Sequence, residues 1–520
     1  MTYDAVILGA GHNGLILQAY LGRAGLSTIC LERRSDIGGG LETIEFPQGS
    51  SFLHNTHSFF HRALDRMPWY TDLELRSQGA VYVEPELNVA MLLRDGRALE
   101  WWTDFEKTAD SFARFSERDA DALRRWRGDF QPIVRDILLA ESQSPPLPHA
   151  DRVACLRKTE RGRLLLNTSE LSPLEFVTRE FESPIIQAGL LFFNGLREVD
   201  LRQPGFGHHI PALLANDGMA QMCLGGSKQL AHALEAAVCE TGGTIHSGIE
   251  PKQILVKGGR AVGVELTDGT IVHANKLVAS SLNPQQTFIE LIDSQHVPSD
   301  WLQKAERFQY NVLAPLFALH LNLTAPPRYQ AADGQPHLDD ALMVILGLEH
   351  VDQFSQIVEH HEKGTIPPTV MWGACPTRFD PTQAAPEGHT AFMWEKLPFR
   401  LHGDSKNWDA MQQQHGREML EFWSQYAPNV ANATEWFTRS PLDIEKSLPN
   451  MREGDLLVGA FSNDQIGYHR PFPGAGHYRG HLDALYLCGS CCHPGGNITG
   501  LPGYNAAKVI LADLGVTKVQ

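Results

Sequence analysis

Apolar and polar positions change rhythm several times along the chain, and each change predicts an element. Asp4–Leu8 is a run of β-formers that stops abruptly at Gly9. The next segment, Leu15 to Gly25, has helix-forming composition, and Gly25 stands where a C-terminal cap belongs. Ser27–Arg34 then reads as a second buried strand, which completes a strand–turn–helix–strand unit. A related rhythm returns over Leu224–Ser280: a glycine-led amphipathic helix, then alternating strands separated by Gly258-Gly259 and Asp268-Gly269, both two-residue hairpin signals. Near the end, His481–Gly515 reads as a strand ending at Gly489, a glycine-rich loop, and a helix beginning near Gly503.

Between these units the pattern differs. Residues 66–214 read as mostly helical, with a proline-rich break at Ser142–Ala150. Residues 291–474 mix helices with strands such as Thr369–Cys375 and Thr390–Leu397. The richest apolar piece, Ile185–Leu196, is short and broken by Gln and Gly, so no stretch approaches the ~18 apolar residues of a spanning helix. The expected architecture is α/β: a discontinuous Rossmann-like nucleotide-binding domain (1–65, 215–290 and 475–520) and an α+β substrate domain (66–214 and 291–474).

The first turn carries chemistry. Gly9, Gly11 and Gly14 form a G-x-G-x-x-G motif, with Asn13 inside it, between a strand and a helix, which is the context this motif requires. Gly9 permits the tight turn, Gly11 lets a pyrophosphate approach the backbone, and Gly14 lets the helix lie close on the strand. Glu32, at the tip of the second strand, is placed to accept hydrogen bonds from ribose hydroxyls. These features predict a dinucleotide without saying which one.

Just past Glu32 and Arg33 lies a second glycine cluster, Gly38-Gly39-Gly40, followed by Leu41. An acidic residue, a short spacer and a glycine doublet after G-x-G-x-x-G resemble the two-dinucleotide-binding-domain flavoproteins, which include amine oxidases and phytoene desaturases. The late segment "HPGGNITGLPGYNAA" resembles the C-terminal motif of the phytoene desaturase and carotenoid isomerase-like branch. The resemblance implies FAD as cofactor, with Glu32 and Arg33 at its adenosine end, Gly39, Gly40, Leu41 and Gly489 along the diphosphate and ribityl chain, and Gly500 and Leu501 at the flavin edge. Many such proteins carry Arg directly after the doublet, where this chain has Gly40. The backbone position that usually pairs with adenine falls at Pro251, which has no N–H; the contact then shifts to Ile249 or becomes an accepted bond. No second G-x-G-x-x-G follows a strand, so the electron acceptor is expected to be oxygen, a quinone or another protein.

Composition narrows the setting. The net charge of −17 argues against nucleic-acid partners, whose phosphates require Lys and Arg. Eight cysteines are too sparse for a disulfide scaffold and are expected as thiols. The first apolar run begins at Tyr3 without a basic leader or cleavage signature, so a cytoplasmic protein is expected, with contact at a membrane surface left open.

His54, His57 and His61 would share one side of a helix. They read as metal ligands, as polar groups shaping a flavin pocket, or as structural histidines; no Cys or carboxylate completes a metal set, and none is expected to be bound. His57 and His54 are candidate proton donors or acceptors, as is His493 in the loop expected to pass the flavin. Glu359–Glu362 ("EHHE") reads as a solvated helix end, and Cys488-x-x-Cys491 as the end of a strand. The loop Gln465–Arg479 is a candidate wall of the substrate entrance. The resemblance implies hydride removal from an apolar or partly apolar substrate to form a double bond. A redox-neutral double-bond isomerase and a non-catalytic flavin-stabilised binding protein are the rival readings.

Overall fold

The computed structural model describes residues 1–193 and 198–516, so the last residues of the apolar piece Ile185–Leu196 lie outside the described residues. Its first sheet runs in the order Thr244–His246, Thr28–Leu31, Thr2–Leu8 and Ile271–Ser280, all parallel. Parallel pairing needs crossovers, which His12–Arg23 and Lys228–Glu240 supply. The C-terminal half of Ile271–Ser280 pairs with Leu485–Leu487, and its N-terminal half continues into the antiparallel strands Arg260–Leu266 and Pro251–Lys257. The two expected hairpins are present at Gly258-Gly259 and Asp268-Gly269.

Helix His12–Arg23 is buried from His12 to Gly22, which explains its nearly uninterrupted apolar sequence. The final helix, Leu501–Asp513, packs against it. The approach is close: a methyl group added at Gly503 would lie 2.2 Å from the Asn13 carbonyl oxygen. This helix begins at Leu501, with Gly500 as its cap, slightly ahead of the Gly503 start read from sequence.

The second sheet runs Glu435–Arg439, Leu316–Leu323, His389–Lys396, Met371–Ala374, Met343–Leu346, Leu87–Leu92 and Ala98–Trp102. All its neighbours are antiparallel except Met343–Leu346 with Leu87–Leu92. Strand alternation divides its residues between two cores. Leu316, Ala318, Met343, Ile345, Trp372 and Trp394 meet the helical layer, whereas Phe317, Leu319, Val344, Leu346 and Met371 pack with Trp408 and Trp423 of helix Asn407–Ser424.

Two expectations are corrected here. The region 66–214 is largely helical, yet it also supplies strands Leu87–Leu92 and Ala98–Trp102 to the second sheet. Their hairpin signal is Asp95-Gly96, inside a turn closed by Leu93 N–H donating to Arg97 O at 2.9 Å. The histidine cluster is not on a helix: His54 lies in strand Leu53–Asn55, His57 in a bend and His61 in strand His61–Arg62.

Replacing Gly503 by Ala forces a methyl group against a backbone carbonyl, which overpacks the junction by about 1–3 kcal/mol. The expected outcome is a lower melting temperature with an unchanged far-ultraviolet circular dichroism spectrum. Identical thermal melts would mean that the two terminal helices have room to spare.

Candidate active site

The site begins where strand Thr2–Leu8 ends. Gly9 adopts φ +89°, and a side chain there would also meet Ser281 Oγ at 2.5 Å. A methyl at Gly14 would lie 2.2 Å from Gly9 O, so helix His12–Arg23 can start directly against the turn only with glycine at that position. Gly11 is the opposite case: nothing lies within 4 Å of where its methyl would be. That open face is the approach a diphosphate needs, at a helix N-terminus whose amides favour negative charge.

The second glycine cluster closes the cradle from the side. Gly38 N–H donates to Ala10 O at 2.8 Å, and a methyl at Gly39 would lie 3.2 Å from Gly11 Cα. Buried Leu41 anchors this turn by donating its N–H to Gly38 O at 3.1 Å. The Glu32 carboxylate accepts from Ala10 N–H at 2.8 Å and Arg34 N–H at 2.9 Å, which orients it beside the same turn. Ile249 N–H already donates to Glu32 O at 2.9 Å, and Pro251 opens the strand paired with Leu266. Carbonyl oxygens are therefore what this segment offers to a base. Arg33 is exposed, whereas Arg34 turns inward to Gly39 O at 3.4 Å and Glu42 at 2.5 Å. Sequence reasoning named the neighbour and missed the inward arginine, because side-chain direction at a strand end is set by the turn that follows.

The C-terminal segment completes the cradle. Asn13 donates to Ser490 Oγ at 3.2 Å and accepts from Gly503 N–H at 3.4 Å. A methyl at Gly489 would lie 2.1 Å from Ser281 O, so this strand end also needs glycine. Trp69 packs against Gly500 and donates its indole N–H to Thr499 O at 2.8 Å, fixing the turn that precedes Leu501.

The three candidate histidines separate in space. His57 borders a large cavity beside Gly40; its Nδ1 lies 2.9 Å from Thr56 Oγ1, and its buried Nε2 has no partner. Thr56 donates to Glu42 at 2.8 Å, and Glu42 also bonds Arg439 at 2.8 Å. Neither Thr56 nor Glu42 carried a sequence signal, since both act through residues brought together by folding. His493 also borders the cavity, with Nε2 at 3.0 Å from Glu141 O and Nδ1 without a partner. His54 is not among the cavity-lining residues; it bonds Asn322 at 2.8 Å and packs edge-on against His320 and Phe437. His61 bridges Ser58 and Tyr82.

Burial dominates their ionisation. It pushes His12, His54 and His57 down to about 4, His61 to about 3, and His493 downward as well. Burial would raise Glu42, but His57, Arg439, the Thr56 hydroxyl and Arg34 outweigh it and hold the carboxyl at about 2.

The cavity encloses about 2420 Å³, well above the ~300–1,000 Å³ of a pocket for one small ligand. Its lining includes Gly40, His57 and residues 493–499 together with the apolar Phe59, Phe60, Leu316, Met343, Trp372 and Trp394. Ile466, Gly467, Tyr468 and His469 from the loop Gln465–Arg479 also line it. Elsewhere, His361 of the "EHHE" segment is buried against Val312 O at 2.7 Å rather than solvated. Cys488 and Cys491 are free and buried, and burial pushes the Cys488 thiol up. Among the described residues, no group of three His, Cys, Asp or Glu could hold a metal ion.

Comparison with known proteins agrees with this geometry. Residues 7–70 match the family description of a NAD(P)-binding Rossmann-like domain. The chain is 30% identical to a subunit of the limonene dehydrogenase of Castellaniella defragrans, covering 99% of this chain and 95% of the relative. It is 23% identical to a lycopene-forming phytoene desaturase of a Paracoccus species, covering 98% and 97%. Cyclohexylamine oxidase from Brevibacterium oxydans has the same fold, with a TM-score of 0.59 at 14% identity over 99% of both chains.

The buried histidines give a pH prediction. Their folded values near 4 or below lie under the unfolded ~6.5, so the unfolded chain binds protons that the fold refuses. Stability is full above pH 6.5 and falls as pH drops from there to 4; Glu42 adds a loss from about 4.5 toward 2. Each histidine contributes at most about 1.4 kcal/mol per pH unit. Thermal melts at successive pH values should be level above 7 and drop steeply between 6 and 4; an unchanged midpoint from pH 7 to 5 would refute this.

Proposed function

We propose, for a chain that belongs to the phytoene desaturase-like family of FAD-dependent oxidoreductases, that its substrate is an apolar or partly apolar molecule that loses two hydrogens from adjacent carbons to form a double bond. The cavity carries this reading: one lining holds both an aromatic and aliphatic set and Gly40, His57 and the 493–499 loop. Desolvating a hydrocarbon against that wall contributes about 25 cal/mol per Å² of apolar surface removed from water. Leu139 and Leu147 at the same cavity are 44% and 51% exposed, giving an apolar molecule a surface to land on before it enters and giving the protein a point of contact with a membrane surface. Among the described residues, no helix is long and apolar enough to cross a membrane.

The cradle fits FAD. The open face of Gly11 and the N-terminus of helix His12–Arg23 suit the diphosphate, Glu32 suits the adenosine ribose, and the turn before Leu501 suits the flavin ring. FAD, when bound, supplies the two-electron acceptor; the protein positions the substrate and excludes water. His57 and His493 are our candidates for handling the proton that leaves with the hydride, and His54 supports the wall behind them. Reoxidation is assigned to oxygen, a quinone or a protein partner. We read residues 1–65, 215–290 and 475–520 as the FAD-binding domain and 66–214 with 291–474 as the substrate domain. The eight free thiols support a reducing, cytoplasmic setting.

The test is anaerobic mixing of the FAD-loaded protein with limonene, phytoene and related hydrocarbons. Persistent bleaching of the flavin's visible band is expected, with colour returning on exposure to oxygen or a quinone. Double-bond movement that requires pre-reduced flavin and leaves it reduced would replace this reading with the isomerase one. A spectrum unmoved by every hydrocarbon would overturn the choice of substrate class.

A further inference from the structure

We propose that Glu42 and Thr56 are positioning residues that fix His57, which borders the cavity, in the tautomer that leaves its buried Nε2 with the lone pair, so that Nε2 takes the proton released as the substrate double bond forms. This rests on the dehydrogenation reading above. The tautomer follows from counting protons. Thr56 has one hydroxyl hydrogen, and it lies between Glu42, 2.8 Å away, and His57 Nδ1, 2.9 Å away. An ionised carboxylate can only accept, so the hydroxyl donates to Glu42. The Thr56 oxygen then accepts, and His57 Nδ1 must be the N–H donor. A neutral imidazole has one N–H, so Nε2 is left with its lone pair.

Nε2 is free for that role. It is buried, it has no hydrogen-bond partner, and His57 borders the cavity. Gly40 keeps a side chain off this nitrogen: a methyl there would lie 4.0 Å from Nε2 and 2.9 Å from Met451 Cε, which already packs against that position. The charged groups around His57 are Glu42, just before strand Thr43–Glu45, Arg34, between strand Thr28–Leu31 and the second glycine cluster, and Arg439 from strand Glu435–Arg439; His320, on strand Leu316–Leu323, is kept neutral by burial. Arg34 and Arg439 hold Glu42 ionised, which preserves the order of donors and acceptors.

The step balances. FAD, when bound, would supply the acceptor for the hydrogen and both electrons of one substrate C–H bond. The adjacent C–H bond gives a proton to Nε2, and its electron pair becomes the new π bond. His57 becomes an imidazolium whose charge is offset by Glu42 through Thr56, and it returns the proton to water once product has left.

The experiment uses the full-length FAD-loaded protein labelled with ¹⁵N-histidine, the His57 signals being identified by their loss in His57→Gln. Wild type should show Nδ1 protonated and Nε2 unprotonated at neutral pH; Thr56→Val should shift the ring toward the other tautomer, and Thr56→Ser should restore it. With limonene as probe, Thr56→Val should slow anaerobic flavin reduction about 10-fold and His57→Gln about 100-fold. FAD affinity and KM should stay near wild type. An Nε2–H tautomer in wild type, or Thr56→Val indistinguishable from Thr56→Ser in the ring spectra, would overturn the proposal. If no hydrocarbon bleaches the flavin, the substrate reading fails, and the ring spectra still decide the tautomer.

Discussion

The whole arrangement depends on one contact between residues 490 positions apart. Asn13 accepts from Gly503 N–H and donates to Ser490, while Gly503 lets the two helices meet with carbonyl against Cα. Without it, the first turn would still form a glycine-rich loop, but the late segment would no longer be tied to Asn13 at its edge. The parallel pairing of Val278–Ser280 with Leu485–Leu487 brings the late segment to that place, and the glycines at 489 and 503 remove the side chains that would hold it away. Backbone contact, more than any charge, is what closes this cradle.

Burial gives the site its second property. Burial pushes His57 and His493 at the cavity toward the neutral form, and Glu42, one hydroxyl away from His57, is matched by two arginines and that hydroxyl. The aromatic and aliphatic part of the wall suits a substrate without charge, because covering it displaces water that made no hydrogen bonds to it. The same condition makes each unpaired nitrogen conspicuous, since a buried lone pair with no donor has a cost unless it has a task.

Local features were legible in the sequence, and features made by distant pairing were not. The turn at Gly9, the cap at Gly25 and both hairpins of the antiparallel extension follow from residues within a few positions of one another, and all are present. The strands Leu87–Leu92 and Ala98–Trp102 were hidden because a buried apolar run fits a helix or a strand, and only the sheet they join decides between them. The spacing of His54, His57 and His61 suggested a helix, yet antiparallel pairing of Thr43–Glu45 with Leu53–Asn55 holds the chain extended and turns His54 toward Asn322. Arg439 could not have been found at all from its surroundings: it reaches Glu42 across 397 positions.

Closure by the last part of the chain has a consequence for biosynthesis. A ribosome releases the first glycine turn long before Gly489 and Gly503 exist, so a nascent chain can display half a cradle but cannot grip its cofactor with both ends. A truncated polypeptide lacking the final helix would lack the Gly503 N–H that holds Asn13 beside the first turn.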